Sequence, residues 1–334
     1  MPAPAGRVDE AVFRAALEGV GRVDAVGHRV VHGGTEFVDP VVVDADVLRR
    51  LEALSDLAPL HQPKSLRGLE IVGRLLPDVP AVACFDTAFH ARLPPAAATY
   101  ALPAQWRMRW SLRRFGFHGL SHAYATRRTA ELAGRPPEEL RIVSCHLGAG
   151  ASLAAVDGGV SVDTTMGFTP LEGLVMATRS GSVDPGLLLW LEEHVGMPPS
   201  ELAATLEDRS GLLGLTGSGD LRTILEAEEA GDGEAALAVG VYLHRLRGAI
   251  AAMAAAMAGL DAVVFTGGVG ENSGPIRARA ATGLGFLGIR LAEEASGAAG
   301  DREIGAPGAA VRAFVVEARE DLEIAREVRG LLER

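Results

Sequence analysis

Lysine is almost missing from this 334-residue sequence: Lys64 stands alone among 32 basic residues, and the rest are arginine. A Walker-type phosphate loop needs Gly-Lys-Ser/Thr, whereas Lys64 sits in His61-Gln62-Pro63-Lys64-Ser65 with no glycine run before it. That chemistry is excluded, so any phosphate handled here is met by arginine, backbone N–H groups and a metal. Cysteine is as scarce. Cys84 and Cys145 each close an apolar run, which predicts two buried, reduced residues and no disulfide scaffold. Aromatic residues are only 5% of a chain that is 48% hydrophobic, so its cores are expected to be Ala, Val and Leu. No apolar stretch approaches the ~20 residues that span a bilayer. The longest, 249–260, is mostly alanine. Positive charge is also lacking: a formal net charge of −11 argues against a nucleic-acid groove or an anionic membrane surface. Small anions remain admissible, since local clusters bind them. The opening run Met1-Pro2-Ala3-Pro4-Ala5-Gly6-Arg7 has no signal-peptide core. A soluble, cytoplasmic protein with no nucleic-acid or membrane partner is expected.

The length suits about two domains of ordinary size. Hydrophobic spacing predicts helices over 9–20, 44–54, 64–76, 121–133, 185–195, 234–259 and 322–332. Strands are predicted over 25–32, 79–85, 141–146, 262–266 and 311–316. A hairpin is predicted over 152–165, turning at Asp157-Gly158-Gly159. Strands alternating with helices imply an α/β protein with covered sheets. No repeat, low-complexity tract or linker marks a domain boundary.

Polar and glycine residues gather where the predicted strands end. Those ends read His28-Arg29, Asp86-Thr87, His146-Leu147-Gly148-Ala149-Gly150 and Thr266-Gly267-Gly268-Val269-Gly270-Glu271-Asn272. Any one is compatible with an ordinary turn; four together point to a ligand cleft at the carboxyl ends of strands. The glycine loops 148–152 and 267–273 would let backbone N–H groups approach phosphate oxygens, the second at a helix start. Neither completes Gly-x-Gly-x-x-Gly, so a dinucleotide site fits poorly. Arg29 and Arg179 suit bidentate capture of carboxylate or phosphate, although a lone arginine more often forms a surface ion pair. Seven of nine histidines precede residue 147. His118 and His122 have i, i+4 spacing, but the His-Glu-x-x-His glutamate is missing and Gly119 disfavours a helix starting before Ser121.

Together these segments resemble the acetate kinase family. The matching runs are His28-Arg29-Val30-Val31-His32-Gly33-Gly34, Leu57-Ala58-Pro59-Leu60-His61, Phe85-Asp86-Thr87-Ala88-Phe89-His90 and Gly116-Phe117-His118-Gly119. They continue through Cys145-His146-Leu147-Gly148, Met166-Gly167-Phe168-Thr169-Pro170-Leu171-Glu172-Gly173, Ser182-Val183-Asp184-Pro185 and Gly268-Val269-Gly270-Glu271-Asn272-Ser273, in the family's order.

The resemblance implies an actin-like ATPase (ribonuclease H-like) fold, with two α/β domains of mixed sheets flanked by helices, and a homodimer. The first domain would comprise 1–88 with 321–334, and the second 89–320. The implied activity is reversible phosphoryl transfer from ATP to acetate, giving acetyl phosphate and ADP, with Mg²⁺ or Mn²⁺. A propionate or short-chain acyl kinase is the alternative. By resemblance, Arg29 and Arg179 meet the acyl carboxylate and the moving phosphoryl group. Asp86 and Glu320 take the metal and substrate-side electrostatics, and His118 the equatorial phosphoryl oxygens. Val31, Leu60, Phe117 and Pro170 wall a small methyl pocket. His146, Gly148, Gly150, Gly268, Gly270 and Asn272 belong to the nucleotide loops, and Asp220, Leu221 and Arg222 to the adenine side.

Two departures accompany the resemblance. Ala149 stands where the family carries Asn after His-Leu-Gly. The family's opening Asn-x-Gly-Ser-Ser-Ser-x-Lys run has no counterpart, so the first domain is expected to be truncated at its N-terminus. A misplaced start and a reduced, non-catalytic nucleotide-binding relative both remain open readings. A metal hydrolase built on the histidines is the competing class.

Overall fold

A computed structural model describes residues 10–55, 62–293 and 299–333. The chain divides into two compact units. The smaller comprises the residues up to Ala91, the short segment Phe117–Leu120, and the chain from Arg319 onward. The larger comprises Arg92–Gly116 and Ser121–Ala318.

The smaller unit is built on three strands, β1 (Val26–Val30), β2 (Val41–Val42) and β3 (Ala81–Phe85), in the order β1-β3-β2. β1 and β3 run parallel, Val26 opposite Ala81 and Val30 opposite Phe85, while β2 pairs antiparallel with β3. The helices Ala45–Glu52 and Gln62–Leu75 cover one face and bury Leu51, Leu66 and Leu69 with Val30, Ala83 and Phe85. Asp44 caps the first of them, accepting from the Asp46 and Val47 amides. On the other face the C-terminal helix Glu320–Leu332 packs Ile324, Val328 and Leu331 against Val82 and Cys84. Alternation along β1 divides the work: Val30 enters the helix-covered core, while Gly27 and Arg29 face the C-terminal helix.

The larger unit holds a six-stranded mixed sheet, β6-β5-β4-β7-β9-β8. Its strands are β4 (Arg141–Leu147), β5 (Ala151–Asp157), β6 (Val160–Thr164), β7 (Ala262–Thr266), β8 (Arg302–Glu303) and β9 (Arg312–Val315). β4, β7 and β9 are parallel; β5, β6 and β8 extend the sheet antiparallel. The parallel centre explains the unbroken apolar runs, since β7 is buried at every residue. The 24-residue helix Gly233–Ala256 lays Tyr242, Leu243, Leu246 and Ile250 into the core. The β5–β6 turn uses Gly158 and Gly159 at φ 59° and 80°, the double positive φ of a tight hairpin turn.

Several sequence expectations need correction. The helix 119–133 begins at Gly119, not after it, because the Gly119 amide is held by the Asp86 carbonyl at 2.9 Å and a side chain there would strike that oxygen. The segment 185–195 is an α-helix, Pro185–Trp190, followed by a π-turn to Val195. The loop 267–273 is itself a helical turn, Gly267–Asn272, starting directly at the end of β7. Cys84 and Cys145 are buried and free, as their apolar runs imply. Among the described residues, no helix is long and apolar enough to cross a membrane.

Candidate active site

In the smaller unit the strand ends converge on one arginine. Arg29, on β1, donates from Nε to both Asp86 oxygens at 3.0 and 3.1 Å and from Nη2 to Oδ2 at 2.7 Å. Its Nη1 lies 2.9 Å from Glu320 Oε2, at the first residue of the C-terminal helix. Asp86 follows β3 immediately, and its amide donates to the Val30 carbonyl at 3.0 Å, extending the ladder one residue beyond Phe85. The pairing is therefore set by register. Asp86 is 1% exposed, so its charge is met mainly by the guanidinium. The negative charge of Asp86 holds Arg29 more firmly protonated, and Glu320 adds to this. Burial raises the Glu320 carboxyl above its ordinary range; Arg29 opposes the rise and Asp86 reinforces it.

The segment Phe117–Leu120 folds against this cluster. His118 has φ 57°, a left-handed conformation that costs a residue with a side chain on the order of 1 kcal/mol and that gathers at functional sites. Its neighbours are pinned: the Phe117 carbonyl lies 3.2 Å from His90 Nε2, and Gly119 bonds the Asp86 carbonyl. Phe117 is buried, edge-on to His32 with ring centres 5.5 Å apart. Val31 is half-buried at the end of β1. Gln62 ties down the following loop, donating to the His32 carbonyl at 3.0 Å and accepting from the His32 amide at 3.2 Å. Leu60, with the whole run 57–61, lies outside the described residues.

In the larger unit a cavity of about 840 Å³ is lined by Gly148, Asp220, Leu221, Arg222, Gly268 and Asn272, six of the residues expected on the nucleotide side. Leu212, Leu225, Val269 and Pro275 give it apolar walls. The volume and mixed lining suit a nucleotide-sized ligand. Gly267 needs its glycine for the fold, since it has φ 78° and a Cβ would meet the Leu147 backbone at 2.8 Å. Gly268 does not, because a Cβ there would meet nothing within 4 Å. What its missing side chain keeps open is the cavity. Asn272 Nδ2 donates to the Gly268 carbonyl at 2.8 Å, and Arg277 donates to the Gly270 carbonyl at 2.7 Å, bracing the turn. Asp220 is an N-cap, accepting from the Arg222 amide at 3.0 Å and from the Arg222 guanidinium at 2.9 Å.

Other residues named from the sequence do not line this cavity. Gly150 closes the β4–β5 turn, accepting from the Gly148 amide at 3.0 Å, and Gly270 packs against Phe265. His146 Nδ1 lies 2.8 Å from the Ser121 hydroxyl. Arg179 donates from Nη1 to the carbonyl of buried Pro170 at 2.6 Å, and burial lowers its pKa from the ordinary arginine value.

The described histidines are not grouped as a metal site. His122 lies 2.9 Å from the Ser144 and 2.8 Å from the Ser152 hydroxyl, one ring nitrogen to each. Among the described residues no three His, Cys, Asp or Glu side chains are arranged to hold a metal.

One group escaped the sequence reading. Glu172 accepts from the Tyr100 hydroxyl at 2.6 Å and from Arg114 at 2.7 Å, while Arg114 also donates to the Met166 carbonyl at 3.0 Å. This network clamps the 166–173 segment that carries Pro170. Glu172 within that motif was the available signal; its partners, some 60 to 70 residues earlier, left none.

A carboxylate-flanked arginine at the ends of parallel strands, and a glycine-edged cavity in a second α/β unit, define an enzyme that handles anionic groups. Comparison with known proteins makes this specific. The model of the acetokinase family matches residues 8–326. An acetate kinase of Bacillus mycoides is 47% identical over 314 residues, covering 93% of this chain and 79% of that protein. A crystal structure of Porphyromonas gingivalis acetate kinase matches with a TM-score of 0.90 at 38% identity, covering 97% of this chain and 85% of the other. A propionate kinase from Francisella tularensis matches with a TM-score of 0.89 at 36% identity, covering 95% and 82%. The chain belongs to the acetokinase family, and its fold is that of the actin-like ATPases.

Proposed function

We propose that this chain is an ATP-dependent carboxylate kinase that transfers the γ-phosphoryl group of ATP reversibly to acetate, giving acetyl phosphate and ADP. The observation that carries the reading is Arg29, held between Asp86 and Glu320 beside the strained His118. A carboxylic acid of pKa roughly 4 is already ionised at neutral pH, so the reaction needs no base to create its nucleophile. The difficulty is bringing one anion onto another. Arg29 binds the acyl carboxylate, whose oxygen attacks the γ-phosphorus as the bond to the β-phosphate oxygen breaks. Arg179 and His118 meet the charge on the transferring oxygens, and the larger unit's cavity holds the nucleotide.

Asp86 and Glu320 fit a hard divalent cation: both offer carboxylate oxygens, and they share a single guanidinium between two negative charges. Magnesium or manganese bound there would neutralise charge on the phosphates. Val31, Leu60, Phe117 and Pro170 would wall the methyl end of the acid. Two actin-like domains, 1–88 with 321–334 and 89–320, a cytoplasmic location and a homodimer complete the reading. The larger unit's exposed tryptophans support the dimer.

The test is acyl phosphate formation from ATP and acetate, propionate or butyrate by the purified chain, trapped as the hydroxamate. Turnover should fall in that order, because one methylene is worth about 1–3 kcal/mol in a tight pocket. Arg29→Ala should lose about 100-fold or more while still binding ATP. ATP binding with no acyl phosphate from any acid would overturn the kinase reading.

A further inference from the structure

Two contacts run side by side along β1 and the C-terminal helix. Arg29 meets Glu320, and two residues earlier Gly27 meets Ile324, four residues later on the helix. Two strand residues advance about 6.6 Å and four helical residues about 6 Å, so the helix runs antiparallel to β1 with nearly matched spacing. Gly27 makes this approach possible. A Cβ on Gly27 would fall well inside contact distance of Ile324 Cγ2 and 3.0 Å from Val328 Cγ2.

Ile324 cannot simply swing aside. Its Cγ2 is one bond from a branched Cβ, and β-branched residues in helices are nearly confined to one χ1 rotamer. The helix itself would have to retreat by roughly 1.5 Å to reach the ~3.5–4 Å of ordinary carbon contact. Glu320 would move with it, lengthening a 2.9 Å ion pair beyond hydrogen-bonding distance. Asp86 would stay, because it is joined to Arg29 through strand pairing and not through the helix.

We propose that Gly27 is a positioning residue: by lacking a side chain it seats the C-terminal helix close enough to β1 for Glu320 to reach Arg29. This rests on the reading of Glu320 as a metal-side carboxylate.

The test uses the full chain and Mn²⁺ as probe, with bound ion read by electron paramagnetic resonance in the presence of ADP. Glu320→Gln and Gly27→Ala should each weaken Mn²⁺ binding about tenfold, with the ADP affinity measured without metal unchanged, because each loses the same charged contact. Gly27→Ala/Ile324→Ala should recover most of the loss, since removing Cγ2 returns the space. A purely structural role would not produce that recovery at the metal. Wild-type Mn²⁺ binding by Gly27→Ala, or a double variant as weak as the single, would overturn the proposal. If Gly27→Ala does not fold, the double variant decides: near-wild-type affinity supports the proposal, and affinity as poor as that of Glu320→Gln overturns it. Should Glu320→Gln itself bind Mn²⁺ normally, the reading of Glu320 fails and the inference with it. A Glu320→Gln defect without a Gly27→Ala defect sinks the inference alone.

Discussion

Arg29 satisfies two carboxylates with one guanidinium, an arrangement that a fold built only for stability has little reason to keep. Burying such charges costs several kcal/mol per ion, and well-packed apolar residues are often as stable. On the kinase reading, the excess negative charge is what a divalent cation would meet. Asp220 raises the opposite question, since its bonds already account for it as a helix cap. Asp220→Ala should lower the thermal midpoint, and Asp220→Asn, which keeps a cap oxygen, should not. Thermal unfolding with and without ATP separates the roles. If Asp220→Asn gains as much from ATP as wild type, the carboxylate serves the helix and not the nucleotide. The motif containing Asp220 was legible in the sequence, but the cap bonds were not, because they depend on where the helix begins.

The C-terminal helix shows how one element serves site and fold together. It presents Glu320 to Arg29 at its start and, further along, buries Glu323 and half-buries Glu327. Glu327 Oε2 is buried without a hydrogen-bond partner among the described residues. Burial pushes its pKa up to about 7; nearby Glu323 adds to the rise, and a bond from the Cys84 thiol opposes it. The folded state therefore favours the protonated acid. That stabilisation is complete below the unfolded value of about 4.5 and is lost as pH rises through about 7. Glu327→Gln should flatten the pH dependence of stability between about 5 and 8. Above pH 8 it should be more stable than wild type by up to about 3 kcal/mol. Denaturant unfolding at pH 5 and pH 8 checks this, and an equal effect at both values would contradict the burial argument. The helical period was readable from Leu322 onward, but a glutamate on the buried face is invisible to a pattern that expects apolar residues there.

At the scale of the whole molecule, the three tryptophans are all substantially exposed on the larger unit. Trp106, Trp110 and Trp190 are 50%, 49% and 51% accessible, with Met108 at 76% and Leu189 at 58%. Aromatic and methionine side chains left in water mark association surfaces. The homodimer reading predicts that Trp106→Ser/Trp110→Ser will shift the species seen by sedimentation from dimer to monomer with the helical signal retained. A dimer that persists would move the interface elsewhere. The antiparallel extension of the larger sheet by β5, β6 and β8 belongs to this scale too. The Asp157-Gly158-Gly159 turn announced the β5–β6 hairpin, whereas the two-residue strands β2 and β8 have no sequence signal of their own.

The sequence by itself determined the α/β class, the order of the main strands and helices, and the polar, glycine-rich strand ends, because each rests on local periodicity and turn chemistry. Its ordered motifs also carried the family. Only the tertiary structure decided that Arg29, Asp86 and Glu320 form one cluster, since the last lies 291 residues from the first and meets it through packing. It also decided that His122 is a bonded core residue and that Gly27 faces a helix at close quarters. Spacing along a chain records neighbours on one strand or one helix. Which strand lies against which helix is set by the burial of apolar faces, and that is settled only when the chain folds.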